Sequence, residues 1–307
     1  MDTFLQQLIN GIVLGSIYSL VALGYTLVYG IMGLINFAHG DIVMVGAMVT
    51  FTVARLLSDS GLPGPLILGI GVLTAIPACM AVGYLIERIA YRPLRDAPRL
   101  APLITAIGVS ILLQNLAMMI WGREYLSFPQ ILPVQTMAVG GASISAIQLL
   151  IVVSSTLMMA GLSWLIRKTR LGNAMRATAQ NPEVATLLGV NVNTIISITF
   201  VLGSALAAVA GMMVGAYYGI AHYDMGFILG LKAFTAAVLG GIGNIEGAML
   251  GGLLLGIIES LGAGYLGTLT GGVMGSNYQD VFAFFVLILV LVFRPSGLLG
   301  ERVGERP

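Results

Sequence analysis

The chain has 307 residues, 58% hydrophobic and 9% charged, with a net charge of +1. A soluble domain carries roughly 25% charged residues, so a chain this apolar excludes a soluble fold and makes lipid its main solvent. The near-neutral balance excludes nucleic acid as a partner, and a single cysteine, Cys79, excludes a disulfide framework within the chain.

Apolar segments lie near 5–30, 36–57, 65–86, 101–121, 146–166, 194–218, 227–241, 246–266 and 280–293. Runs of about 15–25 residues broken by Gly and Pro read as helices, whereas a closed β-barrel would alternate apolar and polar residues over roughly ten-residue segments. The expected fold is all-α: one polytopic transmembrane bundle over residues 1–307. It has about eight to ten spans, some broken or re-entrant, since residues 31–40 and 227–247 are irregular. Asp2 and the lack of Lys or Arg among the first four residues do not fit a cleavable signal, so the first helix is expected to be its own insertion signal.

Basic residues set the orientation. Of 14 Lys and Arg, four fall in 87–100 (Arg88, Arg92, Arg95, Arg99), four in 167–176 (Arg167, Lys168, Arg170, Arg176) and three in the tail (Arg294, Arg302, Arg306). The positive-inside rule places these three regions in the cytosol, together with the C-terminus. The loop at 122–145, with Arg123, Glu124, Pro129 and Pro133, is then external, as is the N-terminus.

Small residues recur every fourth position at Gly203, Ala207, Gly211, Gly215 and Gly219, and again at Ala248, Gly252, Gly256, Ser260 and Gly264. This spacing lets helix backbones approach closely, either inside the subunit or at a subunit interface. Two segments are alike: Gly33–Gly40 reads GLINFAHG and Gly240–Gly247 reads GGIGNIEG. Each interrupts an apolar run and sets a polar residue, His39 or Glu246, before a glycine. Paired interruptions of this kind point to a transporter's substrate path, with chance resemblance in a glycine-rich chain as the other reading. Asn36, Phe37, His39, Gly40, Asn244, Glu246 and Gly247 are the path candidates. The ionisable residues inside apolar regions are Asp41, Lys232, Glu246 and Glu259, which are expected to face protein or water or to pair internally. His222 reads as an interfacial loop residue. Two His and one Cys offer no plausible zinc or iron site, and HExxH, GxSxG and Walker A sequences are absent, so no catalytic chemistry is expected.

The polar stretch 170–191, RLGNAMRATAQNPEVATLLGVN, separates two apolar segments on the cytosolic side. Asn181 suits a helix cap, Pro182 the first helical position and Glu183 the positive end of the helix dipole. The helix is expected over Pro182–Leu188, ending at Gly189. Arg170 and Arg176 give a basic flank, and Val184, Leu187 and Leu188 form an apolar face that either rests on the bilayer or docks on a cytosolic partner.

Residues Glu183–Gly189, EVATLLG, resemble the E-A-A-x-x-x-G signature of bacterial ABC importer permeases, with Val184 in place of the first Ala. Tyr25–Met48, Lys232–Gly252 and Arg294–Gly300 (RPSGLLG) resemble permeases of branched-chain amino acid importers. The likeness covers nearly the whole chain. Urea-type importers share the general pattern, but Phe37-Ala38-His39-Gly40 is more similar to the branched-chain group.

The resemblance implies an inner-membrane permease for leucine, isoleucine and valine working by alternating access. Importers of urea or other small amino acids and amides, and an ion-coupled secondary transporter, are the alternatives. It implies a second homologous permease subunit, two cytosolic ATPase subunits that hold ATP and Mg, a periplasmic amino-acid-binding protein and surrounding lipid. It implies no cofactor in this chain. It assigns the 170–191 segment to ATPase coupling, through Arg170, Arg176, Asn181, Pro182, Glu183, Ala185, Leu188 and Gly189.

Overall fold

A computed structural model describes residues 2–95, 97–98, 100–129, 136–139, 141–271 and 278–300. Arg99, Pro133, Arg302 and Arg306 lie outside the described residues. The helices are α1 (Asp2–Met32), α2 (His39–Leu57), α3 (Gly64–Leu85), α4 (Leu100–Trp121), α5 (Ala146–Lys168), α6 (Arg170–Gln180), α7 (Pro182–Leu187), α8 (Val192–Tyr218), α9 (Met225–Gly240), α10 (Ile245–Leu269) and α11 (Gln279–Phe293). Seven are long and apolar enough to cross a membrane among the described residues, and α9 and α11 are shorter apolar helices. They coincide one for one with the nine apolar segments of the sequence.

Helix α1 is the central element. Leu20, Val21, Ala22 and Leu23 are each 0% exposed, whereas Ile104, Ile111 and Met119 of α4 are exposed on the bundle's periphery. An all-apolar helix buried around its whole circumference belongs in the middle of a bundle. α10 lies antiparallel along α1, and the second small-residue ladder makes that possible. A Cβ on Gly15 would lie 2.7 Å from Leu253 Cα, and one on Gly11 2.7 Å from Ile257 Cα. Two serines complete the seam: Ser19 donates to the Met249 carbonyl at 2.7 Å and Ser260 to the Gln7 carbonyl at 2.8 Å. The first ladder likewise meets this subunit's own chain, Gly211 against the Val43–Ala47 backbone and Gly215 against Phe128. Both ladders therefore serve packing within the subunit.

The irregular 33–38 segment is broken helix. Gly33 has φ +62°, which ends α1, and α2 begins at His39, packed against Gly24 in the lower middle of α1. The chain thus turns back into the bundle before α2 rises. Its exposed-looking backbone is covered by protein: Tyr91 OH donates to the Ile35 carbonyl at 3.2 Å. Irregular backbone at membrane depth survives only with such partners.

At the end of the bundle opposite the basic loops the chain forms two short antiparallel pairs that the sequence pattern did not reveal. β1 (Leu126–Ser127) pairs with β4 (Ile220–Ala221), and β2 (Thr136–Val139) pairs with β3 (Ala142–Ser145). The second hairpin feeds α5 through a capping box in which Ser145 and Gln148 satisfy each other's backbone N–H groups.

Candidate functional site

The basic end of α5, with Arg167 and Lys168, leads into two short helices. Thr169 caps α6, its hydroxyl accepting from Gly172 N at 3.1 Å. Gly172, Met175 and Thr178 face inward, while Arg170 and Arg176 are exposed. The upstream stretch, read from sequence only as a basic flank, is therefore an amphipathic helix in its own right. Asn181 caps α7, accepting from Val184 N at 3.1 Å, with Pro182 at the first position. α7 ends at Leu187, with Leu188 as its cap and Gly189 at φ +83°. Gly189 N donates to the Thr186 carbonyl and Val190 N to that of Ala185, each at 3.0 Å. Those two bonds are the Schellman termination, and its left-handed residue is the position glycine fills without strain.

The short helix presents a sharply divided surface. Ala185 is 1% exposed, anchoring α7 to the bundle, whereas Leu187 is 86% and Leu188 76% exposed. Glu183 and Val184 are exposed beside them. Two leucines held outward on a capped turn form a knob that nothing among the described residues covers.

Behind the knob lies a buried ionic cluster that the sequence reading counted only as loop charge. Glu87, 0% exposed, sits in a π-helical turn (Ile86–Tyr91) that continues α3. Its carboxylate accepts from Arg92 at 3.1 and 3.2 Å, from Ser197 Oγ at 2.7 Å and from Arg95. Arg92 also donates to Ser197 Oγ at 2.8 Å, and Arg95 to Asn193. The cluster ties the end of α3 to the first turns of α8, the helix that follows α7. Glu87 is one of two acids, with Asp96, in a stretch with four arginines, and that was the available signal.

A cavity of about 1920 Å³ opens on the same side. It is lined by Tyr29, Arg167, Arg176, Asn244, Glu246 and Arg294, among others. Glu246 pairs with Arg167 of α5 across it, both side chains half-exposed. Asn244 caps α10 by accepting from Gly247 N at 3.0 Å, and its amide donates to the Leu299 carbonyl at 2.8 Å. Leu298 N and Leu299 N bond to the Leu239 and Gly240 carbonyls, each at 2.9 Å. The RPSGLLG segment is thus a latch over the α9–α10 turn.

The other path candidates are packed inside. Asn36 and His39 are 2% and 1% exposed; Asn36 accepts from Tyr91 OH at 3.2 Å, and the His39 ring meets Tyr25 edge-on at 4.9 Å. Asn36 Nδ2 and His39 Nε2 have no hydrogen-bond partner among the described residues. Phe37 packs on Phe234. Gly40 is a helix crossing, since a Cβ there would lie 2.8 Å from Gly230 Cα, and Gly247 is pressed against Gly240. The two look-alike segments share one geometry, a turn from an inward-running to an outward-running helix. They differ in depth: the first penetrates the bundle, the second stays at the cytosolic surface.

Of the remaining intramembrane ionisable residues, Lys232 and Glu259 are paired, whereas Asp41 meets a neutral amide. Lys232 bridges Glu259 at 2.8 Å and Asp280 at 2.7 Å, and Tyr18 OH donates to Glu259 at 2.9 Å. Asp41 accepts from Gln114 at 3.0 Å. His222 lies in the external α8–α9 loop, stacked on Tyr125 at 4.1 Å and bonded to the Arg123 carbonyl at 3.1 Å. No cluster of three or more His, Cys, Asp or Glu capable of holding a metal occurs among the described residues.

Residues 7–291 match the family described as branched-chain amino acid transport system / permease component. The high-affinity branched-chain amino acid transport system permease protein BraD of Pseudomonas aeruginosa is 50% identical over 99% of this chain and 98% of that protein. The corresponding protein LivH of Escherichia coli K12 is 47% identical over 99% and 97%. A probable branched-chain amino acid transport permease of Methanocaldococcus jannaschii is 29% identical over 95% and 91%.

Proposed function

This chain belongs to the family of branched-chain amino acid permease components, and we propose how it carries out that family's transport. It is a multi-pass inner-membrane permease of an ATP-driven importer for leucine, isoleucine and valine. It is not itself an enzyme, and it works as part of a transport system. In our reading two cytosolic ATPases bind ATP with Mg, and one of them seats the α7 knob. A second homologous permease subunit completes the passage, and a periplasmic binding protein delivers the amino acid.

The observation that carries the coupling role is the outward pair Leu187 and Leu188 on a capped turn anchored by Ala185. Burying a leucine is worth about 1.5–3 kcal/mol, so the knob supplies a defined handle to a partner with an apolar cleft. Arg170, Arg176, Asn181, Pro182, Glu183 and Gly189 shape or flank it. A pull on α7 reaches α8 through residues 188–191 and α3 through Glu87. ATP binding shifts the bundle between outward-open and inward-open shapes only as far as the ATPase's differential affinity for them allows.

For the path, the cytosolic cavity with Asn244 and Glu246 is the exit. Asn36, Phe37 and His39, buried deeper in the bundle, belong to the path above this cavity, while Gly40 and Gly247 act by letting helices close around it. Purification in mild detergent tests the reading. The chain should bring down ATPase subunits and, in proteoliposomes with the binding protein, import leucine only when ATP is supplied. Ion-driven uptake by the chain alone would overturn it.

A further inference from the structure

The turn that closes α3 faces two ways. Residues Ile86–Tyr91 form a π-helical turn, and the Arg92 N–H that ends it reaches back to the Glu87 carbonyl. On one side the Glu87 carboxylate gathers Arg92, Arg95 and Ser197, and so grips the first turns of α8. On the other side Tyr91, 1% exposed, packs its ring on Phe200 of α8 at 5.2 Å. Its hydroxyl proton is shared between the Ile35 carbonyl and Asn36 Oδ1, each at 3.2 Å. Asn193, Ser197 and Phe200 recur at helical spacing, so one stripe of α8 meets this turn. A six-residue element therefore joins the helix that follows the knob to the broken segment 33–38.

We propose that Tyr91 is a positioning residue for transport: the π turn passes movement of α8 to the broken segment, and the Tyr91 hydroxyl sets where Asn36 stands. This rests on the coupling and path readings above. Asn36 Nδ2 has no hydrogen-bond partner among the described residues, which leaves the Tyr91 hydroxyl to fix that amide.

The geometry of the turn supports a relay rather than an anchor. A π turn is rare, and as a single-turn bulge it occurs frequently at functional sites. Moving the Arg92 N–H from the Glu87 carbonyl to that of Arg88 would restore α geometry. It would also rotate the residues beyond by about 100°, one α-helical step, and swing Arg92 and Arg95 away from Glu87. The turn thus has two discrete arrangements, the kind of element through which distant sites are coupled. Glu87 ties it to α8, and Tyr91 reports its arrangement to residues 35 and 36. A buried phenol that only satisfied its own hydrogen bond would have no such second end.

The test is amide hydrogen exchange on the complete transport complex in proteoliposomes, with and without ATP. The native chain is compared with Tyr91→Phe, which keeps the ring on Phe200 and deletes the hydroxyl alone. In the native complex ATP should alter exchange both at 182–197 and at 33–38. In Tyr91→Phe the response at 182–197 should remain and the response at 33–38 should be lost. Leucine imported per ATP hydrolysed should fall about fivefold, the factor that one intramolecular hydrogen bond contributes. Tyr91→Phe combined with Asn36→Ala should import no less than Asn36→Ala alone, because the hydroxyl acts through that amide. A response at 33–38 that survives Tyr91→Phe, or losses that add in the double variant, overturns the proposal. So does a native complex in which ATP moves 182–197 and never 33–38. Indifference of 182–197 to ATP overturns the coupling reading instead.

Discussion

Gly189 offers the sharpest perturbation of the coupling knob. Its φ of +83° is open to glycine, costs an L-residue about 1–2 kcal/mol, and is beyond the reach of proline, whose ring holds φ near −65°. No atom lies within 4 Å of an added Cβ, so the effect of Gly189→Ala is pure backbone strain. That strain is relieved by unwinding the last turn of α7, which would lower the population carrying Leu187 and Leu188 in register by about 5- to 30-fold. Gly189→Asn, which tolerates the left-handed region, should lie between glycine and alanine. Gly189→Pro also loses the N–H bond to Thr186 and should abolish the turn. The assay is leucine imported per ATP hydrolysed in proteoliposomes, with membrane insertion checked by protein yield. The expected order is Gly, Asn, Ala, Pro, at equal yield. Proline transporting like glycine, or alanine falling below proline, would refute the reasoning.

Leu187→Asp should leave insertion and thermal stability unchanged, because the side chain is 86% exposed, yet release the ATPase on purification; co-purification with Leu187→Asp at the original ratio contradicts the docking. Glu87→Ala strands Arg92 and Arg95 and should cost about 3 kcal/mol, the low end for a broken buried pair because both guanidiniums keep some water; the readout is a lowered thermal midpoint in detergent. Arg167→Ala breaks a half-exposed pair worth about 0–1 kcal/mol, so the midpoint should not move, and any change in transport reports on the cavity mouth. Gly40→Trp and Gly247→Trp should fail to accumulate rather than assemble with flux blocked, because each glycine meets backbone rather than open space; normal assembly of either would show the crossing to be looser than it stands here.

Hydropathy alone determined the nine apolar helices, because each apolar run must satisfy its own backbone in lipid, and the arginines set their expected direction because they resist crossing it. The caps of α7 were equally legible, since Asn181, Pro182 and Gly189 act on their immediate neighbours. So was the break at Gly33. Partnership across the bundle was not legible. Nothing in a one-dimensional pattern says that Lys232 meets Glu259 and Asp280, that Glu87 gathers Arg92, Arg95 and Ser197, or that the α10 ladder faces α1 rather than another subunit. Gly40 and Gly247 illustrate the difference: an interrupted helix reads as an opening, and only the crossing with Gly230 and the contact with Gly240 show each as a closure. Local structure follows from forces within a few residues. A site is made where distant segments converge, and in this bundle that convergence is set by which small residues let which backbones touch.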